Sequence, residues 1–75
     1  MMIYNWLNKY KKRFYLIKVQ KHGNSFILDS YWGSCITNRG GKKNVSLSTE
    51  QEVINFIDKM MARRKSRGYE FVSNM

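Results

Sequence analysis

The apolar positions change their spacing along the chain, and each change marks an element. Near the N-terminus Ile3, Trp6, Leu7 and Tyr10 recur at i, i+3, i+4 and i+7, one face of a helix, and Phe14 extends it. This spacing predicts a short N-terminal amphipathic helix, although no N-cap precedes it and no Gly or Pro separates it from the next segment. Three roles are open to the segment: docking on the domain with Trp6 buried, lying on a membrane surface, or serving as a frayed or partner-binding arm. From Phe14 the period becomes two. Tyr15, Ile17 and Val19 point one way and Phe14, Leu16 and Lys18 the other, a strand that runs to Gln20. Lys21-His22-Gly23-Asn24 is a turn cluster, because Gly23 and Asn24 tolerate positive φ, and Ser25 to Trp32 is the return strand of a hairpin.

Gly33, beside a large aromatic, marks a bend or a close backbone approach. Cys35-Ile36-Thr37 reads as a short third strand. Asn38-Arg39-Gly40-Gly41-Lys42-Lys43, with no apolar residue, reads as a loop, and Asn44 to Leu47 as a fourth strand with Val45 and Leu47 on one face. Ser48-Thr49-Glu50-Gln51 then matches a capping box, with Ser48 as the cap and Gln51 as its reciprocal partner. Val53, Phe56, Ile57 and Met60, flanked by Ile54 and Met61, form the apolar stripe of one long helix. Glu50 and Glu52 near its start, and Arg63, Arg64, Lys65 and Arg67 near its end, suit the helix dipole. Gly68 is a natural left-handed stop, and Tyr69 can pack back on the last turn. Glu70 to Val72 adds an edge strand.

Together these elements predict an α+β fold: a small antiparallel sheet of about four strands packed on one long C-terminal helix, with the short N-terminal helix in addition. Residues 1–11 are expected as an N-terminal extension, 12–72 as the domain and 73–75 as a frayed tail. The 75 residues suffice for one domain with a small core, to which eleven aromatic residues contribute.

Charge narrows the function. Fourteen Lys and Arg against five Asp and Glu give a net +9, beyond the magnitude of about 2–8 that solubility alone asks of a small domain. Such a field attracts nucleic acid first, then an anionic membrane or an acidic protein. Cys35, a lone cysteine, makes no internal disulfide and fits a reducing cytoplasm, and with one histidine, His22, no four-ligand zinc site can be assembled. No secretory signal and no membrane span are expected. Catalysis is not expected either. Two of the few acids sit in a helix's first turn, His22 sits in a turn, and Cys35 has no visible base partner. No cofactor is called for.

An aromatic-rich first strand (Lys12-Arg13-Phe14-Tyr15), a hairpin, Tyr31-Trp32-Gly33 and a Gly/Lys loop come in order, and then a short strand, a capped helix and a terminal Arg67-Gly68-Tyr69. This order resembles the WGR domain, a module of poly(ADP-ribose) polymerases and of small bacterial proteins, over roughly residues 12–72. The chain departs from it where Ser34 stands for the Arg of the family's name and Ile36 for a Gly two residues on. In the polymerases that Arg helps join the domain to its neighbours, so the resemblance implies no such contacts here. It does imply that Trp32 packs on the sugar of a terminal nucleotide at a DNA break, with nearby basic residues on the flanking phosphates.

Three basic groups carry the expected chemistry. Arg39, Lys42 and Lys43 sit in the Gly-Gly loop, whose glycines would let backbone approach a phosphate, although the spacing is not that of a P-loop. Lys59, Arg63 and Arg67, four apart, form a ridge beside the helix's apolar stripe. Lys9-Lys11-Lys12-Arg13 is a basic arm. Each group has an ordinary alternative as a solvated surface, and Trp32 an alternative as a core anchor. The expected function is therefore non-enzymatic binding of nucleic acid, DNA ends, nicks or single-stranded regions foremost, through Trp32, Arg39, Lys42, Lys43, Lys59, Arg63 and Arg67. The competing reading is a module that docks on an acidic protein partner, such as a component of a DNA-handling complex. The oligomeric state is left open.

Overall fold

A computed structural model describes residues 2–74, with Ser73 and Asn74 described through their backbone alone. Five strands and one helix follow one another as β1 (Met2–Asn8), β2 (Arg13–His22), β3 (Ser25–Ser34), β4 (Gly40–Leu47), α1 (Glu50–Ser66) and β5 (Glu70–Asn74). The strands form one antiparallel sheet in the order β4-β3-β2-β1-β5, with α1 packed on one face. The fold is α+β, as the pattern predicts, with one strand more than expected.

The extra strand is the predicted N-terminal helix. Residues 2–8 form β1, paired with β2 from Met2↔Val19 to Asn8↔Arg13 and with β5 on its other side. β1 lies inside the sheet and is no appendage. Both of its faces carry apolar residues, Tyr4 and Trp6 toward α1 and Ile3 and Leu7 away from it, so the alternation that betrays a strand is erased. Ile, Tyr and Trp favour a pleated surface, and pairing on both edges outweighs an uncapped helix. Within the expected frayed tail, Ser73 and Asn74 belong to β5; Met75 lies outside the described residues.

Three further expectations shift. Cys35-Ile36-Thr37 is no strand but part of the 35–39 turn, and Gly40 to Lys43 is no loop but the start of β4. The Ser34 hydroxyl closes the turn by accepting from the Ile36 and Thr37 amides (3.0 and 3.1 Å), while the Ser34 amide donates to the Arg39 carbonyl (2.9 Å). The glycines enter the strand because it leaves no room for anything larger. Gly33 pairs with Gly40, and a Cβ on Gly33 would come 2.6 Å from the Arg39 carbonyl oxygen. The capping box sits one residue later than expected: Thr49 is the N-cap, its hydroxyl accepts from the Glu52 amide (3.1 Å), and Glu52 returns the bond to the Thr49 amide (3.1 Å). Gly68 does take the left-handed conformation, at φ +85°, and lets the Tyr69 amide donate back to the Arg64 carbonyl.

The core lies between α1 and the sheet. Ile17 and Leu28 are fully buried, joined by Trp6, Tyr15, Val19, Val53 and Ile57. At one level an aromatic row crosses all five strands: Phe71, Trp6, Tyr15 and Trp32 in register, ending at Gly41. Trp6 meets Phe71 and Tyr15 edge-on (5.6 and 6.1 Å between centroids), and Tyr15 stacks on Trp32 (5.8 Å, 11° between planes). The row ends in glycine for a steric reason. A Cβ on Gly41 would stand 2.7 Å from Cζ2 of Trp32, so the indole lies where a side chain at 41 would be.

Candidate nucleic-acid interface

Beyond the aromatic row the sheet has one more level on the helix side, where Asn8, Arg13 and Ser34 stand side by side. The C-terminal end of α1 lies close by, and a cleft of about 510 Å³ opens between them. Tyr15, Trp32 and Tyr69 supply its aromatic wall, and Lys11, Arg13, Arg64 and Arg67 its charge. No carboxylate, imidazole or thiol lines it. Asn8, itself buried, fixes the cleft's framework: its side-chain amide donates to the Arg67 carbonyl (3.2 Å) and its oxygen accepts from the Lys11 amide (3.0 Å). Helix end and β1–β2 turn are thereby held together. Lys12 takes a positive φ of 52° in that turn, which leads the chain into Arg13.

Arg64 is the unusual residue. It continues the apolar stripe of α1, eleven positions after Val53 and seven after Ile57, and is only 7% exposed. Its guanidinium carbon lies 4.3 Å from the Tyr15 ring centre and 5.2 Å from that of Tyr69. Its Nε has no hydrogen-bond partner, and no acid pairs with it among the described residues. Withdrawing a charge from water costs several kcal/mol, whereas each cation–π contact returns about 0.5–2 kcal/mol. The rings offset the burial of Nε in part, and the rest of the guanidinium borders the cleft.

A second depression adjoins the first, sharing Lys11, Arg13, Trp32 and Gly33 and adding Arg39 and Thr37 from the 35–39 turn. Of the residues expected at the interface, Trp32, Arg39 and Arg67 are thus brought together. Trp32 is half-buried, packing against the core on one side and lining both depressions, so its two readings merge in one side chain. Lys42 and Lys43 lie elsewhere, on β4, where Lys42 opposite Tyr31 faces away from α1 and Lys43 opposite Ser30 faces the helix side. Lys59 and Arg63 are exposed on α1 outside the cleft lining. Gly40 and Gly41, expected to cradle phosphate, are occupied by strand pairing and by the Trp32 indole.

Sequence reasoning missed Arg64 as a site residue and treated Lys11 and Arg13 as a loose arm. Its spacing from Val53 and Ile57 places Arg64 in line with the apolar stripe, but only the structure shows that it is buried there. No signal joined it to Lys11 and Arg13, which the β1–β2 turn brings near from more than fifty residues away.

The acids lie apart from this surface. Glu50, Asp58 and Glu70 line apolar grooves along the other side of α1, and Asp29 accepts from the Asn44 side chain (2.7 Å). The ion pair found among the described residues, Lys9–Glu70 at 3.6 Å, is exposed and of little energetic weight. No group of three or more His, Cys, Asp or Glu suited to a metal occurs among the described residues, and no helix is long and apolar enough to cross a membrane. The cleft thus sets cations beside aromatic rings, with no acid among its lining residues. Compared with protein-family models, curated proteins and solved structures, the chain finds no match.

Proposed function

We propose that the protein binds nucleic acid without catalysis, by seating a backbone phosphate in the cleft on Arg64 while Lys11, Arg13, Arg39 and Arg67 hold the phosphates on either side. The observation that carries this reading is Arg64: a residue only 7% exposed, its Nε buried without a partner and its guanidinium walled by rings, in a cleft lined by four cations and no acid among the described residues. A phosphodiester supplies the missing charge, and a guanidinium meets it with a planar set of donors. Trp32 adds the selective contact, its free surface meeting a sugar or an unpaired base beside the seated phosphate. DNA ends, nicks and single-stranded regions present such groups and are the favoured ligands.

The resemblance to the WGR domain supports the same class of ligand. Ser34, standing for the family's Arg, has its own use here, because its hydroxyl closes the 35–39 turn that carries Arg39. Fluorescence anisotropy of labelled blunt, nicked and hairpin-closed duplexes at two salt concentrations tests the reading. Tighter binding to nicked or open ends that persists at the higher salt is the expected result. Equal, weak binding to all three that vanishes with salt would contradict a built site and leave only a basic surface.

A further inference from the structure

Helix α1 covers one face of the sheet, and the other face has no cover among the described residues. On that open face β2 presents Phe14, Leu16 and Lys18, and β3 presents Ile27, Asp29 and Tyr31. We propose that this face is a stacking platform for the bases of single-stranded nucleic acid, with Phe14 and Tyr31 as the stacking groups and Lys18 and Lys42 for the phosphates. The proposal rests on the nucleic-acid reading above but adds a second surface, on the opposite side of the sheet from the cleft.

Three observations select this occupant. The most exposed apolar groups of the two central strands on this face are aromatic: Phe14 and Tyr31 are each 36% exposed, whereas Leu16 and Ile27 are more deeply set. Phe14 pairs with Gly33 and Tyr31 with Leu16, so the two rings are diagonal neighbours, about 7–8 Å apart at their roots. Aromatic rings on adjacent strands of an open sheet accept successive bases because every base offers a flat face.

The neighbours of Phe14 across the sheet are glycines. Gly33 and Gly40 follow it across β3 and β4, and the Phe14 ring leans close enough that a Cβ on Gly33 would be 3.3 Å from its Cε1. The same two glycines border the depression that holds Arg39, Lys11 and Arg13, so a strand leaving the cleft reaches the platform across this edge.

Charge decides between a strand of nucleic acid and another copy of the chain. Lys42 stands opposite Tyr31 and Lys18 opposite Asp29, whose carboxylate is already engaged by Asn44. Two chains of net +9 repel each other, whereas a polyanion complements this face.

The test compares two labelled probes by anisotropy on the full chain: a thymidine oligonucleotide of about twelve nucleotides and an abasic strand with the same number of phosphates. The wild type is expected to bind the thymidine strand about tenfold more tightly or better. The double variant Phe14→Leu with Tyr31→Leu keeps the apolar surface and is expected to erase that preference while its affinity for the abasic strand is unchanged. Circular dichroism on the same samples confirms the fold, and the single variants substitute for the double one if it does not fold.

Equal wild-type affinity for both probes overturns the proposal and leaves the face to an acidic protein. A preference that survives in the folded variants overturns it too, and moves the base contact to Trp32. Arg64→Met separates the two readings, because loss of the cleft lowers affinity for both probes alike. If Arg64→Met changes neither affinity while the platform variants lose the preference, the cleft reading fails and the platform stands.

Discussion

At position 64 the buried stripe of α1 carries a guanidinium between two tyrosine rings, and no acid answers it. A residue kept for stability alone would be apolar here, since replacing a buried charge by a side chain of similar volume is often neutral or stabilising. Arg64→Met is therefore expected to unfold in urea at the same midpoint as the wild type or a higher one; a loss of more than about 2 kcal/mol would mean that the rings alone justify the arginine. Gly41 illustrates the opposite constraint. Its missing side chain is the space that the Trp32 indole fills, so Gly41→Val is expected to destabilise by about 1–3 kcal/mol and to shift the tryptophan emission. Wild-type stability and emission would show that the indole has another place to go. Such constraints escape a one-dimensional reading: the glycine looks like a loop residue until the strand opposite is known, and Arg64 looks like a dipole charge until the helix is seen to be buried along that line.

At the scale of elements, the β2–β3 hairpin, α1 and the edge strand β5 could be read because turn residues or caps bound each of them. β1 was not read as a strand, and β4 was read only over Asn44 to Leu47. β1 is apolar on both faces and bonded on both edges, and β4 begins with two glycines and two lysines. The position of β1 has a consequence. Removing residues 2–8 takes out an interior strand together with Trp6 and is expected to leave the chain unfolded by circular dichroism; a folded product would mean that β5 can pair with β2 directly. The helix start is a milder case. Thr49→Ala removes one half of a reciprocal cap and should cost about 1 kcal/mol in a denaturation experiment, whereas Ser48→Ala, outside the box, should cost much less.

Across the whole molecule, charge is sorted by place. Cations from the β1–β2 turn, the β3–β4 turn and the end of α1 converge on one end of the sheet, while Glu50 and Asp58 lie along another side of α1 and Glu70 pairs with Lys9 outside the cleft. On the proposed reading, this asymmetry would orient an approaching polyanion toward the cleft as well as attract it. The net charge was legible from composition. The convergence was not, because it depends on three segments far apart in sequence, and for that reason Lys42, Lys43, Lys59 and Arg63 looked equivalent to Arg39 and Arg67 when only the chain was in view. The measurement that tests the central claim most directly is the affinity of wild type and Arg64→Met for one nicked DNA duplex, followed over a series of salt concentrations. The variant, fully folded, is expected to bind at least tenfold more weakly, with a salt dependence shallower by about one counterion, as befits a lost phosphate contact. Equal affinity and equal slope in the two proteins would contradict a phosphate seated on Arg64.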